Sequence, residues 1–232
     1  MTSPDAPELP PLAMREQHLT VSRTALYYST GGEQDVREIW VVLHGFGMLA
    51  SDFLGWFRPA ITPTRLIVAP EALNRYYTNP RTRRVGATWM TSHERLAEID
   101  DYVRYLDQLL GDIRAQVGAD VPVQVHAFSQ GTATGCRWVA LGRVRPTRLV
   151  LWGGGVPPDL DLERYRDRLE AAQVTIVMGD RDQYISEDQV QAEAARLRAA
   201  GLGFRLKRFK GGHVIPWPLL ESFAAEGAGA PP

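Results

Sequence analysis

Hydrophobic residues recur along the chain in two patterns, short dense runs and longer stretches spaced three and four apart. Dense runs occupy residues 39–43, 66–69, 121–128, 149–152 and 174–178. Runs of this kind are typical of parallel strands that are covered on both faces. Residues 204–209 alternate instead, which predicts an edge strand, and residues 19–23 and 25–29 predict two short antiparallel strands at the start of the sheet.

The clearest helical spacing covers residues 92–117, and Thr91 with Glu94 predicts a capping box at its start. A second capping box is predicted by Ser186 and Gln189, which precede another helical stretch. Strands and helices alternate along most of the chain. The sequence therefore predicts an α/β fold with a mostly parallel sheet and helices on both faces.

Composition narrows the class of protein. The chain has 232 residues, of which 44% are hydrophobic and 23% charged, and this excludes disordered and fibrous proteins. Its net charge of −1 disfavours a nucleic-acid partner, and the longest apolar runs are too short for stable membrane insertion. We interpret residues 15–225 as one domain, with flexible tails at residues 1–14 and 226–232.

The first residues and the cysteine content indicate a compartment. Residues 1–14 are rich in proline and acidic side chains without an apolar stretch, so we expect no signal peptide. The single cysteine, Cys136, can form neither an internal disulfide nor a zinc site. These features predict a cytoplasmic protein without a metal, and they leave the oligomeric state open.

Catalytic residues of such folds lie at the carboxyl ends of strands, and the run at 121–128 is followed by a serine. The local sequence Ala127-Phe128-Ser129-Gln130-Gly131 resembles the nucleophile elbow G-x-S-x-G, with alanine in the first glycine position. Small residues are needed there because the strained serine turn brings strand and helix close together. The alternative is a serine that caps an ordinary helix.

Two later loops supply the other groups of a catalytic triad. Gly179-Asp180-Arg181-Asp182 follows the run at 174–178, and Gly211-Gly212-His213 follows the last strand. A carboxylate in the first loop can orient the imidazole of His213, although glycine and aspartate also form ordinary turns. The order serine, aspartate, histidine, each after a strand, is the order of α/β-hydrolases, so we predict a triad that includes Ser129 and His213.

The loop Leu43-His44-Gly45-Phe46-Gly47 predicts an oxyanion hole, in which the amides of Phe46 and Gln130 would stabilise a tetrahedral intermediate. Residues 45–50 also fit the dinucleotide pattern G-x-G-x-x-A, with Glu71 about twenty residues on. The helix predicted after that pattern is short, and the triad would then have no role. Nucleotide binding is therefore the weaker interpretation.

The motifs L-H-G-F-G, P-E-A, A-F-S-Q-G, G-D-R-D and G-G-H together resemble the phospholipase/carboxylesterase family of α/β-hydrolases, which includes acyl-protein thioesterases. The resemblance covers residues 39–213. The family motif H-G-x-x-D-x-x-V implies that Asp182 is the triad acid and Asp180 a supporting residue. Met178 replaces the histidine of that motif, and Ile185 its valine. The resemblance also implies a small-molecule ester substrate of broad range and no cofactor.

Substrate-pocket candidates are Trp89, Trp152, Tyr77 and Met178. Residues 74–90 are expected to form a long loop that acts as a lid or a pocket wall. Its arginines could meet an anionic acyl donor or headgroup, or the loop could simply be solvated.

We expect a serine carboxylesterase for small to medium acyl groups. An acyl-thioesterase or a lysophospholipase is the alternative, and an inactive hydrolase-fold binding protein or a peptidase of the same fold is more distant.

Overall fold

The computed structural model describes residues 12–227, so most of both expected tails lies outside the described residues. The strands are β1 (Tyr27–Thr30), β2 (Glu38–Leu43), β3 (Arg65–Pro70), β4 (Asn74–Asn79), β5 (Arg84–Thr88), β6 (Val123–Phe128), β7 (Arg148–Trp152), β8 (Thr175–Gly179) and β9 (Arg205–Phe209). The helices are α1 (Ala50–Leu54), α2 (Arg95–Val117), α3 (Gln130–Leu141), α4 (Leu162–Ala171), α5 (Glu187–Ala199) and α6 (Trp217–Glu226), and a 3-10 helix, Gly55–Ala60, follows α1.

Seven strands form one sheet in the order β1-β3-β2-β6-β7-β8-β9. Only β1 runs antiparallel, and it pairs with β3 at one edge. The other strands are parallel, and β9 forms the opposite edge, as its alternating sequence predicts. The predicted α/β class with a mostly parallel sheet is confirmed.

Helices cover both faces of the sheet and enclose two cores. Helices α2, α3, α4 and α5 pack on one face around residues such as Leu106, Val139 and Leu197. On the other face α1, the 3-10 helix and α6 bury Phe53, Phe57, Phe223 and Trp40. Within residues 12–227, no helix is both long and apolar enough to cross a bilayer.

Two local predictions were wrong. Residues 19–23 form no strand, and β1 takes its partner from β3, far along the chain. Helix α2 begins at Arg95 rather than at residue 92, and Glu94 precedes it in the left-handed region at φ 50° instead of completing a capping box. The amide hydrogen of Thr91 is accepted by the carboxylate of Glu98 instead of that of Glu94, so the acceptor is the acidic residue one helical turn later. The capping box of Ser186 and Gln189 is confirmed.

The segment 74–90, expected to be a loop, is largely a β-hairpin made of β4 and β5. Its register sets Tyr76 opposite Gly86 and Arg75 opposite Ala87. The hairpin stands apart from the main sheet, yet Ala87 also pairs with Met48 in an antiparallel bridge. Residues 47–48 are therefore joined to the hairpin by a single isolated bridge.

Candidate active site

Ser129 occupies a strained turn between β6 and α3. Its φ of 53° and ψ of −118° lie where non-glycine residues are rarely found. The Ser129 amide donates a hydrogen bond to the carbonyl oxygen of Trp152 at 2.9 Å, which ties the turn to the end of β7. Backbone strain of this kind is characteristic of functional sites, and it favours the elbow over an ordinary helix cap.

The small residues around Ser129 are needed because backbone segments approach closely. A Cβ on Gly131 would lie 2.4 Å from the carbonyl oxygen of Leu43, so no larger residue fits without displacing β2. Ala127 replaces the first glycine of the pattern, and the residue facing it is Gly135, whose own Cβ would lie 3.2 Å from the Ala127 methyl. The methyl group of Ala127 therefore fits because residue 135 is a glycine and has no side chain.

Asp182 and His213 are joined across the loops after β8 and β9. Oδ2 of Asp182 lies 2.7 Å from Nδ1 of His213, and the aspartate side chain is only 1% exposed. The other carboxylate oxygen, Oδ1, accepts hydrogen bonds from the amides of Tyr184 at 2.8 Å and Ile185 at 3.3 Å. A buried carboxylate with this set of partners can hold the imidazole with its proton on Nδ1.

Asp180 is bound elsewhere, although it lies only two residues before Asp182. Its Oδ1 accepts the amide hydrogen of Gly211 at 2.8 Å, and its own amide donates to the carbonyl of Phe209. A Cβ on Gly179 would lie 2.3 Å from the Gly211 carbonyl oxygen, so the two loops touch along their backbones. Asp180 thus fastens the loop that carries His213.

The imidazole of His213 lies between two aromatic rings, with centroid distances of 4.7 Å to Phe128 and 4.8 Å to Tyr184. Gly153, at φ 56°, is beside it, and a Cβ there would lie 2.9 Å from the ring. Gly153 directly follows Trp152, the residue that binds the Ser129 amide, so Ser129 and His213 approach the same stretch of backbone.

The Ser129 hydroxyl and His213 do not form a hydrogen bond in the part of the chain that the structure describes. Hydrogen bonds between nucleophile and base are often long without substrate and tighten when it binds. The structure thus brings together the acid and the base of the predicted triad, and it places the serine next to them.

Residues 44–48, which contain the predicted oxyanion hole and are called the oxyanion loop below, pack directly on the turn at Ser129. A Cβ on Gly45 would lie 3.2 Å from the Cβ of Ser129. Within residues 12–227 the amides of Phe46 and Gln130 donate to no other group, so both are available to a ligand oxygen. The phenyl ring of Phe46 is 60% exposed.

His44 anchors this loop, a role that the sequence analysis missed although it quoted the residue within its motif. Nδ1 of His44 lies 2.8 Å from the carbonyl oxygen of Gly45, and Nε2 accepts the amide hydrogen of Ala72 at 3.0 Å. Burial lowers the pKa of His44, so the ring is neutral with its proton on Nδ1. The indole of Trp89 donates to the carbonyl oxygen of His44 at 2.9 Å.

The hairpin holds the oxyanion loop from the other side. The Gly47 amide donates to the Ala87 carbonyl at 2.8 Å, and the Ala87 amide donates to the Met48 carbonyl at 3.2 Å. A Cβ on Gly86 would lie 2.4 Å from the Gly47 carbonyl oxygen. The ring of Tyr76 contacts Phe46 at a centroid distance of 5.4 Å.

No model of a known protein family matches the sequence, and neither does any curated protein. Among solved structures, the chain is similar to acyl-protein thioesterase 2 of Zea mays, with a TM-score of 0.68 at 16% identity over 87% of this chain and 97% of that one. It is also similar to a carboxylesterase of Bacillus cereus, with a TM-score of 0.62 at 13% identity over 87% and 92% of the two chains. For esterase PE8 the TM-score is 0.62 at 22% identity, over 88% and 97%.

This chain has the α/β-hydrolase fold. The resemblance to phospholipase/carboxylesterase proteins that the motifs indicated is confirmed at the level of the fold. At these identities the neighbours do not determine the substrate.

Three of the four pocket candidates are core residues of this hydrolase fold. Trp89, Trp152 and Met178 are buried, and the indole of Trp89 is hydrogen-bonded to the backbone of the oxyanion loop. Their side chains offer almost no surface to a ligand in this structure. Tyr77 is exposed on the hairpin.

Exposed apolar side chains lie around the candidate site instead. They belong to the oxyanion loop, to the loops of the acid and the base, and to the start of α6: Phe46, Tyr184, Val214 and Trp217. The sequence analysis did not select the last three, because exposure of a loop residue depends on the folded surroundings.

The dinucleotide interpretation fits this structure poorly. Helix α1, which would present its amino end to a pyrophosphate, spans only Ala50–Leu54. Glu71, the candidate ribose ligand, accepts the amide hydrogen of Ala50 at 3.3 Å and pairs with Arg75. Its carboxylate is therefore engaged within the protein.

Proposed function

We propose that this protein is a serine hydrolase that cleaves carboxylic esters through an acyl-enzyme on Ser129. The observation that carries the proposal is the 2.7 Å contact between Asp182 and Nδ1 of His213, next to a serine held at φ 53°. The alternative of an inactive binding protein accounts for neither the strained serine nor the buried carboxylate. Both features cost stability and have a direct use in acyl transfer.

In the first step the Ser129 oxygen attacks the ester carbonyl, and its proton passes to Nε2 of His213. Asp182 keeps the other ring proton on Nδ1 and stabilises the imidazolium. The carbonyl oxygen becomes an anion that accepts hydrogen bonds from the amides of Phe46 and Gln130. The tetrahedral intermediate then loses the alkoxide, which leaves as the alcohol with the proton from Nε2.

In the second step water attacks the acyl-enzyme and gives one proton to the same nitrogen. The Ser129–carbonyl bond breaks, the serine recovers its proton, and the acid is released. Apart from the ester and one water molecule, the chain supplies every group that the two steps need. The apolar side chains at the mouth, including Phe46 and Tyr184, would contact the acyl or alcohol part of the substrate.

The test is the variant Ser129→Ala with 4-nitrophenyl butyrate as substrate. Because the nucleophile is lost, we expect kcat/KM to fall by about 10⁴-fold or more. A fluorophosphonate should add its mass to the wild-type protein at Ser129 and not to the variant. The matched control is Ser51→Ala, an exposed serine of α1, which should keep full activity and labelling. Turnover that survives in Ser129→Ala refutes the proposal.

The leaving group is part of the same experiment. A thiol can replace the alcohol without any change in the catalytic groups, so acyl thioesters and a lysophospholipid are assayed beside the butyrate ester. Aminoacyl anilides test for a peptidase.

We further propose that the enzyme works in the cytoplasm, since Cys136 is buried and has no cysteine partner in the sequence.

A further inference from the structure

The hairpin carries a concentration of positive charge. From Ala72 to Met90 the sequence contains four arginines and neither aspartate nor glutamate, in a chain whose net charge is −1. The four are Arg75, Arg81, Arg83 and Arg84. An uninterrupted basic segment of this kind does not serve the packing of a surface hairpin, and it creates a local field that attracts anions.

Most of this charge is unpaired. Arg75 forms an ion pair with Glu71 beneath the hairpin. Arg81, Arg83 and Arg84 are exposed, and none of them has a carboxylate partner within residues 12–227. Their guanidinium groups are therefore free to bind an anion from solution.

The hairpin also has a fixed position relative to the oxyanion loop. Its backbone is hydrogen-bonded to that loop through Ala87. The Tyr76 ring extends past Gly86 to the same loop, because a Cβ on Gly47 would lie 3.2 Å from the Tyr76 hydroxyl oxygen. The bulge of the hairpin falls in β4, so β5 alternates regularly and Arg84 shares a face with Gly86. Gly86 is the residue in contact with Gly47, so Arg84 lies on the hairpin face that meets the oxyanion loop.

Strand geometry gives the spacing between this charge and the chemistry. Arg84 is two residues from Gly86 in β5, which corresponds to roughly 7 Å along the strand, and Arg83 directly precedes β5 in the turn of the hairpin at φ 54°. An anionic group bound by these side chains would lie beyond the contact between Gly86 and Gly47, on the order of 10 Å from Gly47 of the oxyanion loop. A substrate with several bonds between its charge and its scissile carbonyl matches that distance.

We propose that Arg81, Arg83 and Arg84 bind a carboxylate or phosphate group of the ester substrate, so that the protein selects anionic esters. This inference rests on the proposed function. Guanidinium groups suit both anions because they donate two parallel hydrogen bonds to a pair of oxygens. The hairpin is thus a specificity element that the oxyanion loop holds in place.

Two pairs of esters separate the possible sources of the anion. Mono(4-nitrophenyl) suberate carries a carboxylate on the acyl side, and its methyl ester is the neutral partner. 1-Hexanoylglycerol 3-phosphate carries a phosphate on the alcohol side, and 1-hexanoylglycerol is neutral. For each compound kcat/KM is measured below its aggregation concentration, at low and high salt.

The variant Arg83→Gln/Arg84→Gln removes two of the charges, and Arg37→Gln/Arg205→Gln is the matched control. Arg37 and Arg205 are also exposed without a carboxylate partner in the described part of the chain, but they lie at the amino ends of the strands. We expect wild type and control to prefer the anionic member of at least one pair by about tenfold, and the hairpin variant to lose that preference. Salt should weaken the preference, because the sites are exposed. Activity on the neutral members should change less than about twofold.

Three results would overturn the inference. One is equal kcat/KM for anionic and neutral esters in the wild type. Another is a hairpin variant that loses activity on both members of a pair, because the arginines would then act through the oxyanion loop. The third is a hairpin variant that keeps the wild-type preference for the anionic ester, and loss of its sedimentation with phosphatidylglycerol vesicles would then identify a membrane as the partner. If no ester of either kind is cleaved, the proposed function itself has failed.

Discussion

At the scale of single residues, Asp180 and Asp182 have separate partners although one residue lies between them. Asp182 accepts from the His213 ring with one oxygen and from two backbone amides with the other. Asp180 accepts from the Gly211 amide and touches no imidazole. The two carboxylates therefore give opposite predictions for the same substitution.

Asp182→Asn should lower kcat by about 10³- to 10⁴-fold. The amides of Tyr184 and Ile185 would keep the new carbonyl oxygen in place of Oδ1. The new amide nitrogen would then face Nδ1, and His213 would hold its proton on Nε2, where it cannot accept the serine proton. The measurement is kcat for 4-nitrophenyl butyrate, with circular dichroism to confirm folding.

Asp180→Asn serves as the comparison, because a neutral oxygen can still accept the Gly211 amide hydrogen. We expect less than about a fivefold change in kcat. A large loss in Asp180→Asn together with a mild one in Asp182→Asn would reassign the acid and contradict the roles proposed here.

The residues proposed as acid, base and nucleophile could be selected from the sequence because each follows a strand within a few residues, and strand order brings such loops together. The sequence did not predict which aromatic residues stay exposed. Trp89 and Trp152 are buried by helices and strands distant in the sequence, while Tyr184 remains open beside His213. Exposure of this kind depends on tertiary packing and leaves no local pattern.

At the scale of elements, the two-stranded hairpin and the oxyanion loop are connected by backbone hydrogen bonds at Ala87. The sequence analysis expected a loop at 74–90 because β4 has no alternation of apolar and polar residues and β5 contains Gly86. The hairpin pairs along β4 and β5 and is tied to residues 47–48 by a further bridge, a long-range contact that the sequence of the segment does not reveal. The long buried strands were predictable because their apolar runs are strong local signals.

Gly86→Ala tests this coupling. The added methyl group would lie 2.4 Å from the Gly47 carbonyl oxygen, so the oxyanion loop must move. A shift of about 1 Å in the Phe46 amide should reduce kcat on 4-nitrophenyl butyrate by roughly 10- to 100-fold. Acylation and deacylation both form an oxyanion, so stopped-flow measurement should show that both steps are slower.

The matched control is Gly55→Ala, since no atom lies within 4 Å of a Cβ at that position. It should leave kcat unchanged. Wild-type turnover in a folded Gly86→Ala protein would show that the hairpin does not position the loop.

At the scale of the whole molecule, the candidate site and a buried polar network lie at opposite ends of the parallel strands. The candidate site uses the carboxyl ends of the strands. At the amino ends Arg65 donates to Glu38 at 2.7 Å and to the carbonyl oxygens of Ala60 and Ala224 at 2.6 and 2.7 Å. One buried side chain thus connects the sheet with the 3-10 helix and α6.

Buried histidines lie towards both ends of this arrangement. His44 anchors the oxyanion loop, and His126 stacks on Trp40 at a centroid distance of 4.1 Å within the second core. Burial lowers the pKa of both, and for His126 the positive charges of Arg148 and Arg65 lower it further. Both rings are therefore neutral in the native state at physiological pH.

The free energy of unfolding should consequently fall on acidification. The unfolded chain binds protons at these two histidines below a pKa of about 6.5, whereas the native state does not, so stability is full above that pH and declines as pH decreases. For His126 the slope approaches about 1.4 kcal/mol per pH unit below pH 6.5, His44 adds a further loss of the same sign, and urea unfolding between pH 7.5 and 5.5 measures their sum. His126→Phe keeps an aromatic ring beside Trp40 and should remove one histidine's share of the slope, while His93→Asn, an exposed site, should leave it unchanged. An identical pH dependence in His126→Phe and wild type would mean that His126 binds a proton as readily in the native core as in the unfolded chain, which would contradict the prediction.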